Sequence, residues 1–284
     1  MVISKNLAGS HTWNTVVPFN GKTTRLDELT GNFTRLWTIE TRGANFANSI
    51  WGSNTPGTIR ISDTPWKKDG SLNSGFYDRM ETVVKRAERR DIVTGVVLFE
   101  GSIQRIFDGA WENHPFNGLG PDRHEEIHAK GKWNKYQRAH VKELVTRLEP
   151  YGNVIYEVGN ELARESVPWF QKKVIKWVRK FTDKPVGVSY ASAVYNQQWM
   201  TRVDADFIVP GNSSKAGGVR KVPGFKGPQI LDTDHAWPLR SNVAGLQTAR
   251  EQGRPLWLMD GLDGSILRNQ GSLAPDRAYI NSLI

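Results

Sequence analysis

With 284 residues, 38% apolar content and 11 Trp, 11 Phe and 7 Tyr, the chain can bury a sizeable core and is too aromatic for a disordered one. The absence of cysteine excludes disulfides, thiolate nucleophiles and cysteine metal ligands, and no run of eighteen apolar residues is available to span a bilayer, so a soluble globular protein with no membrane segment is expected. A formal charge of +9 favours anionic partners by long-range attraction, without choosing among nucleic acid, acidic lipid and acidic polysaccharide.

The opening "MVISKNLAGS" lacks the charged and long apolar regions of an export signal, so either the chain is not exported this way or its signal has been removed. Short apolar runs then alternate with amphipathic segments. The runs lie near 3–9, 33–39, 92–99, 153–158, 185–190, 206–210, 228–233 and 255–260. Between them, "GFYDRMETVVKRAERRD" carries Tyr77, Met80, Val84 and Ala87 at helical spacing, and "NKYQRAHVKELVTRLEPY" carries Val141, Leu144, Val145 and Leu148. "VPWFQKKVIKWVRKFTD" places Val167, Phe170, Val174, Trp177, Val178 and Phe181 on one stripe, with five basic residues mostly off it. That is the pattern of a helix with a solvated basic face; no nucleic-acid recognition module accompanies it. "NVAGLQTAREQG" is a shorter helix that stops at Gly253.

Eight strands alternating with helices, and no linker-like stretch, predict one (β/α)8 barrel domain over residues 1–284. A doubly wound open sheet is disfavoured, because no Gly-rich phosphate loop follows the first strand. Long loops at 41–73 and 101–133 carry Trp51, Trp66, Trp111 and His114, and in a barrel such loops build the site at the C-terminal face.

Polar and aromatic groups collect at the predicted strand ends: "GSHTWN" after the first, "RLW" in the second, "FEG" after the third, "GNE" after the fourth, "DTDHAW" after the seventh and "MDG" after the eighth. Their coincidence at one face points to a site. Together with "HPFN", these motifs resemble clan-A glycoside hydrolases, and more closely the barrel of glycosidases related to the apiosidase-like group, over roughly residues 8–264. The resemblance implies a carbohydrate substrate, no metal or organic cofactor, and a retaining two-carboxylate mechanism.

Retention takes two carboxyl groups about 5 Å apart, one protonated to assist the leaving oxygen and one ionised to attack the anomeric carbon. Glu161 is the predicted acid/base, and Asn160 before it matches the asparagine that binds the neighbouring sugar hydroxyl. The seventh strand offers Asp232 and Asp234 on one side by alternation, where the clan usually has glutamate. Asp234 is nearer the strand end and is the first choice as nucleophile, with Asp232 the substitute. A pair more than about 6.5 Å apart would admit water and allow inversion.

The same resemblance assigns Arg35 to supporting the nucleophile by charge and hydrogen bonding. It also turns His11, Trp13, Trp37, Glu100, His114, His235 and Trp237 toward substrate, with Asp260 a further carboxylate at the eighth strand. The sixth-strand end, "FIVPGN", lacks the tyrosine common in the clan. The basic charge makes an acidic glycan attractive as the substrate.

Two rival readings stand beside this one. "HEEIH", His124 to His128, matches the zinc-peptidase HExxH pattern, with "NELARE" as a source of a glutamate ligand, but glycines and a proline close by suit a core helix poorly. The other is a barrel that keeps a sugar cleft without activity.

Overall fold

The structure is a computed structural model that describes residues 3–19, 21, 23, 25–45, 58–61, 63–103, 108–119, 128, 131–162, 168–190, 197–210, 221–232 and 243–259. Eight parallel strands form its centre: β1 (Ala8–His11), β2 (Phe33–Trp37), β3 (Val93–Val97), β4 (Val154–Glu157), β5 (Val186–Ser189), β6 (Phe207–Val209), β7 (Leu231–Asp232) and β8 (Leu256–Met259). The second to sixth pair in chain order, and β8 lies between β1 and β7.

Backbone bonds join the two arcs into a ring. At one seam Ser10 N–H donates to Thr30 and Asn32 N–H to Ala8; at the other Ile208 N–H donates to Pro228 and Ile230 N–H to Ile208. The first seam needs Gly9, because a Cβ there would fall 2.1 Å from the Phe33 carbonyl oxygen. The fold is therefore the predicted α/β barrel of parallel strands.

The outer layer follows the apolar stripes. Helix α1 (Ser74–Glu88) buries Phe76, Tyr77, Met80, Val84 and Ala87, and α2 (Asn134–Leu148) buries Val141, Leu144, Val145 and Leu148 with Gln137 and His140. Helix α3 (Trp169–Val178) buries Phe170, Val174, Ile175, Trp177 and Val178, and α4 (Val243–Glu251) precedes β8. A short antiparallel pair, Gly43–Asn45 with Thr58–Arg60, follows β2.

One strand begins later than predicted. The apolar start at Ile3 suggested 3–9, whereas β1 is Ala8–His11 and the chain turns first, with Leu7 N–H donating to Ser4. Gly, Ser and His are poor strand formers by propensity. Burial and pairing with β8 override that here.

Inside the ring, alternation sorts each strand into layers. Phe33, Ile155, Phe207, Ile230 and Trp257 form an apolar floor, with Leu7 and Val209. Two residues further along their strands, Arg35, Glu157 and Asp232 occupy the same inward side. The barrel thus changes from apolar to ionic within one step of the pleat.

Candidate active site

Arg35 is wholly buried and organises the ionic layer. Its Nε donates to Glu157 Oε2 at 2.8 Å and its Nη2 to Glu157 Oε1 at 2.5 Å, a forked pair, while Nη1 donates to Asp232 Oδ2 at 2.7 Å. Nη2 also reaches Asn160 Oδ1 at 3.0 Å. The guanidinium lies 4.2 Å from the Trp37 ring centroid and 5.4 Å from that of Trp257. A planar, permanently charged group suits that slot, and lysine could not make the same fork. Burial raises the Glu157 carboxyl above its ordinary range, against the opposing pull of Arg35.

His11 closes the layer from β1. Its Nδ1 accepts from the Trp37 indole at 3.4 Å, which places the proton of the neutral ring on Nε2, 3.5 Å from Asp232 Oδ1. Burial holds this imidazole below its usual range, and Asp232 works the other way.

Asn160 sits at the join of two strand ends. Glu100 and Asn160 form a parallel bridge: Asn160 N–H donates to Phe99 and Gly101 N–H to Asn160. The Asn160 side chain accepts from Arg35 through Oδ1 and donates to Glu100 Oε1 at 3.3 Å through Nδ2, so its amide orientation is set from both ends.

Glu100 is held further by the Ser102 N–H at 2.7 Å, the Ser102 hydroxyl and the Ile103 N–H at 2.8 Å. Burial pushes its carboxyl up to about 7 despite these donors. The Glu100 N–H in turn donates to Glu40 Oε1 at 2.7 Å, and burial raises Glu40 to about 8. Glu40 Oε2 faces His114 Nε2 at 3.5 Å; burial pushes His114 down to about 3, and its Nδ1 accepts the Phe116 N–H at 3.0 Å.

Glu161 follows directly. Its backbone is left-handed, φ +43°, a conformation that costs a residue with a side chain about 1–3 kcal/mol and is retained where the surroundings enforce it. Gly101 presses on the turn, since a Cβ there would lie 2.6 Å from the Glu161 carbonyl oxygen. The Tyr190 hydroxyl donates to Glu161 Oε1 at 2.8 Å. The Glu161 residue is 6% exposed, whereas Asn160, Arg35, Glu100 and Glu157 are fully enclosed.

The ends of β1, β2, β3, β4 and β7 therefore bring His11, Arg35, Trp37, Glu100, Asn160 and Asp232 into one connected cluster with Glu161 beside it. Asp234, His235, Trp237 and Asp260 lie outside the described residues. His11, Trp37, Glu100 and His114, all assigned to substrate, are buried in this structure. Trp37 was assigned to substrate but is buried beneath the Arg35 guanidinium and against the edge of Trp13. His114 was assigned likewise but is buried among Trp66, Trp111 and Phe116, behind Glu40. Glu100 acts on Asn160 and its own loop, and its carboxylate is enclosed. Trp13 keeps partial exposure, as stacking on a sugar requires.

Of the HEEIH stretch only His128 is described, and its ring packs against Phe99 and Phe170. Among the described residues no group of three or more His, Asp or Glu side chains is arranged to hold a metal ion.

Three contributors escaped sequence reasoning. Glu157 was visible as a charge on the inward side of an apolar strand, in step with Ile155. Glu40, three residues beyond Trp37, carried no distinguishing signal. Tyr190 directly follows β5 and donates its hydroxyl to Glu161.

No protein-family model matches the chain, and no curated protein does. Solved structures do match. Endo-glycoceramidase II from Rhodococcus sp., in its ganglioside GM3 complex, superposes with TM-score 0.61 at 14% identity over 97% of this chain and 78% of that one. The endo-1,4-beta-mannanase of Rhizomucor miehei gives 0.54 at 11% identity over 87% of each chain. A GH113 beta-1,4-mannanase gives 0.54 at 14% identity over 100% of this chain and 99% of its own. The chain thus has the (β/α)8 fold of these clan-A glycoside hydrolases, with structural similarity to them along nearly its whole length.

Proposed function

We propose that the chain is a retaining glycoside hydrolase, one catalytic barrel domain acting on a poly- or oligosaccharide, with Glu161 as acid/base and a β7 aspartate as nucleophile. One observation carries this reading. A single buried arginine binds both the β7 carboxylate and the asparagine that precedes Glu161, so the groups for both halves of the reaction hang on one fixed point.

In the first step Glu161 gives its proton to the glycosidic oxygen as that bond breaks, and the ionised aspartate forms a bond to the anomeric carbon. Water then attacks the same carbon, passing its proton to Glu161 and releasing the aspartate. Asp232 has the counter-charge for this role in Arg35. Asp234, the first choice from the sequence, lies outside the described residues and is tested beside it. Asn160, its carbonyl committed to Arg35 and one amide hydrogen to Glu100, keeps its second amide hydrogen for the sugar hydroxyl next to the reacting carbon. Trp13 offers an indole to a ring face.

The structurally similar enzymes are named for glycoceramide and β-1,4-mannan, so β-linked glycans are the first substrates to try, and the net charge of +9 places acidic ones among them. The strand-end motifs support a resemblance to the apiosidase-like group, whose substrates are a further class to try.

Trapping tests the assignment. An activated 2-fluoro glycoside of an accepted sugar should leave one glycosyl group on the protein, and peptide mapping should locate it at Asp232 or Asp234. Label on any other residue, or turnover with inversion of the anomeric centre, would overturn the two-step mechanism.

A further inference from the structure

A charged concavity lies beside the C-terminal half of α1. A cavity of about 550 Å³, within the range of small-molecule sites, is lined by Thr15, Thr23, Arg25, Leu26, Asp27, Val83, Arg86, Arg89 and Arg90. Two separate segments supply its arginines. Arg86, Arg89 and Arg90 come from the last turn of α1 and just beyond it, and Arg25 from the β1–β2 connection. The last turn of α1 leads into the start of β3, so the arginine end faces the N-terminal ends of the strands, opposite the proposed catalytic groups.

Arg25 is already committed, its Nε and Nη2 forking onto Asp27 at 3.0 and 2.6 Å. The guanidinium groups of Arg86, Arg89 and Arg90 make no ion pair with a carboxylate among the described residues. Four arginines therefore stand against two carboxylates, Asp27 and Glu28, both held by Arg25. The helix C-terminus accounts for some basic residues in that turn, but not for a fourth arginine brought from another segment, or for the cavity between them.

We propose that this cavity binds a small ligand bearing a tetrahedral oxyanion, phosphate or sulfate. Arg86, Arg89 and Arg90 grip the anion in forked pairs, the Thr23 hydroxyl donates to a remaining oxygen, and Leu26 and Val83 floor the body that carries it. Guanidinium edges match such oxygens two at a time. The proposal does not rest on the glycosidase reading.

Titration calorimetry with inorganic phosphate, inorganic sulfate, a sugar phosphate and a sugar sulfate, at constant ionic strength set with sodium chloride, tests this. Saturable binding of at least one of them is expected, and the sugar pair shows which anion the site prefers. Arg86→Gln/Arg90→Gln should weaken it roughly tenfold or more by removing charge-assisted bonds, while a double change at the exposed Lys172 and Lys176 of α3 should leave it unaltered. Both sites are on the surface, and circular dichroism checks that each variant is folded. No saturable binding by wild type, heat that chloride alone reproduces, or equal binding by the arginine variant would overturn the proposal.

Discussion

Replacing Arg35 with methionine removes the cation from the buried layer and leaves the Glu157 and Asp232 carboxylates enclosed without their partner. Breaking a buried ion pair from one side costs about 3–5 kcal/mol, because the remaining charge is neither solvated nor neutralised. Here two carboxylates are stranded, so the loss at pH 7 should reach at least that range. For a chain of this size each kcal/mol lowers Tm by roughly 2–4 °C, which gives a fall of about 6–20 °C. Urea unfolding at pH 7 and pH 4.5 reads both the size and the origin of the effect. Protonation relieves stranded carboxylates, so the gap between wild type and Arg35→Met should narrow at the lower pH. Adding Glu157→Leu should recover part of the loss at pH 7. A loss below about 1 kcal/mol, or a gap that does not change with pH, would refute the claim that Arg35 neutralises this layer.

The other expectations concern the groups around it. Glu40 and Glu100 have folded-state values near 8 and 7, above those of the free side chains, so the native state holds their protons more tightly and stability should fall as pH rises from about 4.5 to 8. Glu40→Gln should flatten the upper part of that decline, between about pH 7 and 8, and an unchanged slope in urea titrations there would contradict the assignment. Tyr190→Phe removes the hydroxyl that holds Glu161 and should lower kcat by roughly five- to tenfold, about 1–1.5 kcal/mol, with the thermal midpoint little changed. Gly101→Ala drives a methyl group into the Glu161 carbonyl and should reduce kcat more than it alters KM; wild-type kinetics would mean that the β3–β4 join does not position Glu161.

The architecture was readable because its determinants are periodic. Strand runs of alternating or continuous apolar residues and helical stripes such as Tyr77, Met80, Val84 and Ala87 report burial directly. Each of those four is buried in α1. Arg35 and Asp232, 197 residues apart, were assigned to one site by resemblance, and they meet in a hydrogen bond.

What was not legible depends on packing between elements. His11, Trp37 and His114 look like binding groups by type and position, yet a neutral imidazole or an indole also serves as a buried brace, and only the neighbours decide. Tyr190 could not be assigned because the partner of its hydroxyl, Glu161, lies in the turn beyond the adjacent strand. β1 was placed too early because Ile3 suggested a strand start, whereas the chain turns there and pairs with β8 only from Ala8.

Glu161 is the proposed proton donor of a glycosidase, and release of reducing ends from neutral and acidic β-linked polysaccharides, with wild type and Glu161→Gln side by side, tests that role most directly. Wild type should release them from at least one glycan and Glu161→Gln at a rate about 10²–10⁴-fold lower with the fold intact, the usual contribution of a general acid. Equal rates from the two proteins, or no release by wild type from any glycan in a broad panel, would contradict it.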